Sequence, residues 1–145
     1  MSEMLGNYYF MINRFKSACH ELEKALKEEP KSLSIRKKLI LCYLDSGSYT
    51  RGYQLFRSVI KQDISSITEA KADNTCPCLE ILDNFERNDH LNLDKAEYYR
   101  VLAMLWLFRD INQSLRYFKI VKSLSNDDKN VVTILSIIAK KSVHS

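Results

Sequence analysis

Seven positions of this chain find a counterpart of like type 34 residues further on. They are Leu5/Leu39, Tyr9/Tyr43, Phe15/Tyr49, Ala18/Gly52, Leu22/Phe56, Ala25/Val59 and Leu26/Ile60. A constant offset with matched residue types marks one helix-turn-helix unit copied in tandem. A single such unit cannot cover its own apolar face. It stacks on its neighbour, shares a core with it and presents a concave surface to other molecules. This predicts an all-α chain that works by binding.

Composition agrees. The 145 residues suffice for one domain with a real core, and 46% apolar residues rule against a disordered chain. Three Gly and two Pro suit helices joined by short turns and fit a many-stranded sheet poorly. A net charge of +4 is too small to demand nucleic acid. No run of apolar residues is long enough to predict a membrane span. The opening MSEMLGNYYF has no basic segment before an apolar run, so it does not read as a signal peptide, and the cytoplasm is the expected compartment. Cys19, Cys42, Cys76 and Cys78 are then expected as free thiols.

Apolar spacing divides the chain into helices. Leu5, Tyr8, Tyr9 and Ile12 predict a helix face over 3–13. A turn at Asn13-Arg14 leads to a second helix through Ala18, Leu22, Ala25 and Leu26, which Pro30 stops. Ser32 or Ser34 caps a third, and Gly47 suits the left-handed position after it. A fourth runs over 49–62. Residues 63–75, with Asp73, Asn74 and Thr75, read as a linker or weak helix. Pro77 opens a short helix that ends at Asn88-Asp89-His90. Asp94 caps a strong helix to Phe108, another spans 111–124, and Asn126-Asp127-Asp128 caps the last, about 127–141.

The first unit reads Leu5-Gly6-x2-Tyr9, then Ala18-x3-Leu22, then Pro30. This resembles the tetratricopeptide repeat. A second copy carries Leu39, Tyr43, Gly47, Tyr49, Gly52, Phe56 and Val59. A looser third carries Leu102, Ala103, Trp106, Ser114, Phe118 and Val121. Ser2 and Arg36 stand where the pattern has Trp, Ile40 where it has Gly, and Ile64 where it has the second Pro. The resemblance implies a single domain of tandem antiparallel helix pairs wound into a right-handed superhelix. Its repeats would span about 1–31, 32–64 and 94–126, with an irregular insert at 65–93 and a C-terminal capping helix.

In that family the first helix of each repeat lines the concave face. Transferring the phases places Asn7, Phe10 and Met11 there from the first repeat. The second gives Ser34, Lys37, Lys38, Leu41, Leu44 and Asp45, and the third Glu97, Arg100, Met104, Leu107 and Phe108. Apolar members would form a floor and polar ones would set register. Some members clamp a partner's C-terminal carboxylate, and Asn7 and Lys38 sit at related phases. The plainer reading of Lys31, Arg36, Lys37 and Lys38 is a solvated helix start, or a basic rim that steers an acidic partner.

No residue pattern predicts catalysis. Cys76-Pro77-Cys78 is too tightly spaced for a common zinc site and is not C-x-x-C, so a helix start with one buried thiol is the plain reading. Cys19 and His20 are adjacent on a helix and diverge, Cys42 lies in a core stripe, and His90 has no nucleophile beside it. Eight Tyr, six Phe and one Trp could stack on RNA, but most fall at core phases. Neither metal nor cofactor is expected. The last helix, with Val131, Val132, Ile134, Leu135, Ile137 and Ile138, has almost no polar face. It is therefore either deeply buried or a patch for a second chain, which makes a homodimer possible there.

The expected function is a small adaptor or chaperone that holds a peptide or helix of a protein partner in the groove, away from membranes. Length and architecture are also similar to small bacterial secretion chaperones, which are often acidic where this chain is basic. An RNA-associated helical repeat protein and a structural subunit acting through its final helix are the alternatives.

Overall fold

A computed structural model describes residues 2–72, 76–88, 93–125 and 127–144, the side chains at 71, 72, 88 and 144 excepted. Asp73, Asn74 and Thr75 of the expected linker, Asp89 and His90 of the expected turn, and Asn126 of the expected cap lie outside the described residues.

All regular structure among the described residues is helical. The elements are α1 (Ser2–Met11), α2 (Phe15–Glu28), α3 (Leu33–Ser46), α4 (Tyr49–Asp63), the single turn α5 (Ser65–Thr68), a 3-10 turn over Glu69–Ala72, α6 (Cys78–Asn88), α7 (Lys95–Leu107), α8 (Ile111–Leu124) and α9 (Lys129–His144). No helix among the described residues is long and apolar enough to cross a membrane. The stretch expected as a linker or weak helix is largely coiled into α5 and the 3-10 turn, with Ile67 and Ala70 buried.

Local chemistry sets the ends. Asn13 takes a left-handed φ of 61° and turns α1 into α2. The Ser32 side chain accepts from the Ile35 N–H at 3.3 Å and starts α3. Gly47 ends α3 at φ 87°, and the Ser48 N–H returns to the Tyr43 carbonyl at 2.9 Å, a Schellman-type closure. Asp94, Asp110 and Asp128 each accept a backbone N–H at 3.0 Å at the starts of α7, α8 and α9. Pro77 sits one residue before α6 rather than within it, its carbonyl accepting from the Ile81 N–H at 3.0 Å.

The chain packs as two compact units, Met1–Val59 and Ile60–Ser145, with α4 running across the boundary. In the first, α1 packs on α2, α2 on α3, and α1 also reaches α3. Ala18, Leu22 and Ala25 on α2 and Leu39, Ile40 and Tyr43 on α3 are buried there. Gly6 and Gly52 allow the close approaches. A β-carbon on Gly6 would stand 2.7 Å from Leu22, and one on Gly52 2.9 Å from Leu44. Arg36 is buried as well. Its guanidinium donates to Ser58 Oγ and to the Lys31 carbonyl, both at 3.3 Å. This corrects the reading of Arg36 as part of a solvated helix start: it ties α3 to α4.

In the second unit α7 packs on α8, α8 on α9, and α6 on α7. Val101, Leu102, Ala103 and Leu105 of α7 and Phe118 and Val121 of α8 are buried. Ser114 stands where the repeat pattern has Ala, and its hydroxyl donates to the Ala103 carbonyl at 2.7 Å in the buried α7–α8 seam. On α9, Val131, Ile134 and Ile138 are buried. Leu135 and Ile137 are half-buried and Val132 is 48% exposed, so this helix turns one apolar stripe inward and keeps part of the expected patch on its outer side.

Candidate functional site

The first helix is unlike the others. An α-helix advances about 100° per residue, so residues 4, 5, 8, 11 and 12 share one face some 120° wide. These are Met4, Leu5, Tyr8 and Met11 of α1 and Ile12 in the turn directly after it, with exposures of 68%, 43%, 56%, 69% and 44%. No other helix among the described residues bears more than two exposed large apolar side chains. The opposite face, Gly6 and Phe10, is the one buried.

Of the periodic face read as Leu5, Tyr8, Tyr9 and Ile12, only Tyr9 is half-buried and the other three are exposed. Periodicity finds the wider apolar stripe, but closeness decides which stripe goes inside. Only at Gly6 is the α1 backbone free of a side chain that Leu22 would meet. Helix α2 therefore seats against Gly6 and Phe10, and the larger stripe faces outward. Leu39, the counterpart of Leu5, is fully covered on a helix packed by both α1 and α2.

The fourteen expected partner-binding residues divide sharply. In the first unit, Lys38 Nζ donates to Asn7 Oδ1 at 2.7 Å, joining α3 to α1 across 31 residues of sequence. The two residues suggested for a carboxylate clamp thus bond each other, half-buried at the α1–α3 border. Met11, Ser34 and Asp45 are exposed and Lys37 is half-buried. Phe10, Leu41 and Leu44 are buried. In the second unit Glu97 and Arg100 are half-buried, and Arg100 forms an ion pair with Asp128 at 3.8 Å. Met104, Leu107 and Phe108 are buried. Of the expected apolar floor, Phe10, Leu41, Leu44, Met104 and Phe108 belong to the protein's own packing, as does Leu107, and Met11 alone stays exposed. Leu41, Leu44, Met104 and Leu107 sit in the continuously apolar stretches 39–44 of α3 and 101–107 of α7, and Phe10 and Phe108 on the inward side of a helix or its end.

Two features had no periodic signal. Phe85, Tyr98, Tyr99 and Tyr117 form a column of rings, with successive centroids 5.2, 5.3 and 6.0 Å apart, and Arg116 lies over Tyr117 at 5.6 Å. An open cavity of about 430 Å³ beside it is lined by Glu86, Leu93, Lys95, Tyr98 and Tyr99. A second, of about 360 Å³, is lined by Tyr9, Lys16, Ser17, His20 and Glu21. Neither cavity takes in any of the fourteen residues.

The thiols pair. The Cys42 S–H bonds to Cys19 across the α2–α3 seam, lowering the Cys19 pKa, while that bond and burial raise the pKa of Cys42. A hydrogen bond from Cys76 is the largest influence lowering Cys78 to about 7. Burial opposes it, and the Arg109 charge and the N–H groups at the start of α6 assist. Among the described residues no group of three or more His, Cys, Asp or Glu is placed to hold a metal ion.

No protein-family model matches the chain, and no curated protein or solved structure matches it.

Proposed function

We propose that this protein is a non-enzymatic interaction module of tetratricopeptide-like architecture, and that it docks a helix of another polypeptide on the outer face of α1. The carrying observation is the apolar stripe of Met4, Leu5, Tyr8, Met11 and Ile12, which covers a face that a surface helix normally gives to polar residues. The Asn7–Lys38 pair borders the stripe and supplies polar groups for register. Binding needs no cofactor, and the cytoplasm is the compartment in which four free thiols persist.

Photo-crosslinking tests this. A photoreactive residue at Met11 is compared with one at Lys119, an exposed position on α8. Polypeptide crosslinks concentrated at position 11, and lost when Tyr8 becomes Lys, support the reading. Equal yields at the two positions refute it.

A further inference from the structure

We infer that Cys76 and Cys78 form a reversible dithiol–disulfide couple that is oxidised by low-molecular-weight disulfides, with Cys76 as the entry thiol and Cys78 as the one that closes the bridge. The chain is itself the reductant, so this is a modification site and not a turnover reaction. It does not rest on the docking role of α1.

Three observations carry it. The first is contact. The two thiols are hydrogen-bonded to each other across Pro77, and neither is in a disulfide. Pro77 is buried and its ring fixes its own φ. Its carbonyl accepts from the Ile81 N–H at 3.0 Å, which pins the segment to the first turn of α6. The second is unequal access. Cys78 is fully covered, whereas Cys76 is half-buried and reaches solvent. A bulky disulfide can therefore meet only Cys76. The third is charge. The bond from Cys76, the Arg109 charge and the N–H groups at the start of α6 favour a thiolate on Cys78, which is lowered to about 7 although burial opposes it. Two thiols alone make no ordinary zinc site, and among the described residues no third His, Cys, Asp or Glu joins them.

The proton shared by the pair lets the exchange balance. As Cys76 Sγ attacks one sulfur of the small disulfide, its proton passes to Cys78 Sγ. A mixed disulfide forms on Cys76 and the original S–S bond breaks, releasing one small thiolate. Cys78 returns the proton to that leaving thiolate. The Cys78 thiolate then attacks Cys76 Sγ, the mixed S–S bond breaks, and the second small thiolate leaves and takes a proton from water. The two cysteines are oxidised to one bridge and the small disulfide is reduced to two thiols. A bridge that spans one residue is strained, hence readily reduced, and so suits a couple that cycles.

Incubating the reduced whole chain with glutathione disulfide tests the inference, read by intact mass and peptide mapping after alkylation. The wild type should lose two hydrogens, with Cys76 and Cys78 bridged inside one peptide, and excess glutathione should restore both thiols. Cys78→Ser should stop at a single glutathione adduct on Cys76. In the folded chain Cys76→Ser should react at least about tenfold more slowly than Cys78→Ser, because its remaining thiol of the pair is covered. In urea, where both positions are open, that gap should close. A wild type that stops at the glutathione adduct overturns the inference. So does one that bridges Cys19 to Cys42 while Cys76 and Cys78 are both alkylated, or a folded Cys76→Ser that reacts as fast as Cys78→Ser.

Discussion

Substituting Gly6 and Gly52 separately by Ala tests how the repeat pattern operates. The two glycines hold comparable helical positions, and each substitution gains about 1 kcal/mol of helix propensity. Their surroundings differ. At Gly6 the new β-carbon falls 2.7 Å from both Cγ and Cδ2 of Leu22 and 3.3 Å from its backbone nitrogen. Comfortable carbon–carbon contacts lie at about 3.5–4.0 Å, so a deficit of about 1 Å must be relieved. Leu22 is fully buried and Cγ is its branch point, so moving it would swing both methyls into packed neighbours. Helix α1 must lift instead. Overpacking of this kind costs about 1–3 kcal/mol, so Gly6→Ala should lose about 1 kcal/mol net. At Gly52 the short contact is with Leu44 Cδ2 alone, at 2.9 Å, and the next atoms stand at 3.4 and 3.5 Å. A small turn of the Leu44 side chain about its Cβ–Cγ bond moves that terminal methyl clear, leaving Gly52→Ala within about 0.5 kcal/mol of wild type. Urea unfolding followed by circular dichroism measures both. Gly6→Ala as stable as wild type, or Gly52→Ala the more damaging of the two, would refute the reasoning.

Gly47→Ala should cost about 1 kcal/mol although no atom lies within 4 Å of the added methyl, because the φ of 87° is itself unfavourable for Ala. Gly47→Asn should recover part of that loss in the same urea assay. The Cys78 thiol should titrate at about 7 by its ultraviolet thiolate absorbance, and Cys76→Ala, which removes the largest lowering influence, should move the midpoint upward. Because the folded chain holds fewer protons there than the unfolded chain, this group's stabilisation is complete above pH 9.0 and is lost as pH falls through about 7. Unfolding midpoints that decline from pH 7 to pH 9 in wild type relative to Cys78→Ser would contradict that sign.

Helix boundaries were legible because they rest on residues acting locally. Ser32, Gly47, Asp94 and Pro77 each act through their own backbone or side chain within a turn, and the elements begin or end within a residue or two of them. Which face of a helix is buried depends on a neighbour far along the chain. Leu5, Tyr8 and Ile12 carry a strong periodic signal, yet α2 seats on Gly6, whose signal is only the absence of a side chain. The same limit governs the candidate site. A phase shared with a repeat family placed Asn7 and Lys38 near one another, and they touch. It could not tell that Leu41 and Met104, in continuously apolar stretches of α3 and α7, and Phe108, at the end of α7, would be covered. The aromatic column joins Phe85 to Tyr98 and Tyr117, residues with no common period, so only tertiary packing reveals it.

The Asn7–Lys38 contact also bears on the order in which the first unit forms. Pairing of α1 with α2 needs only neighbouring stretches of chain, a low contact order that favours rapid closure. The bond from Lys38 skips a whole helix and spans 31 residues, so it cannot exist until α3 has been made and docked. During synthesis, α1 and α2 can therefore close first as a hairpin with the border of α1 unfinished. The arrival of α3 then fixes that border and covers α2 at the same time, so neither helix of the hairpin reaches its final environment before the third is made.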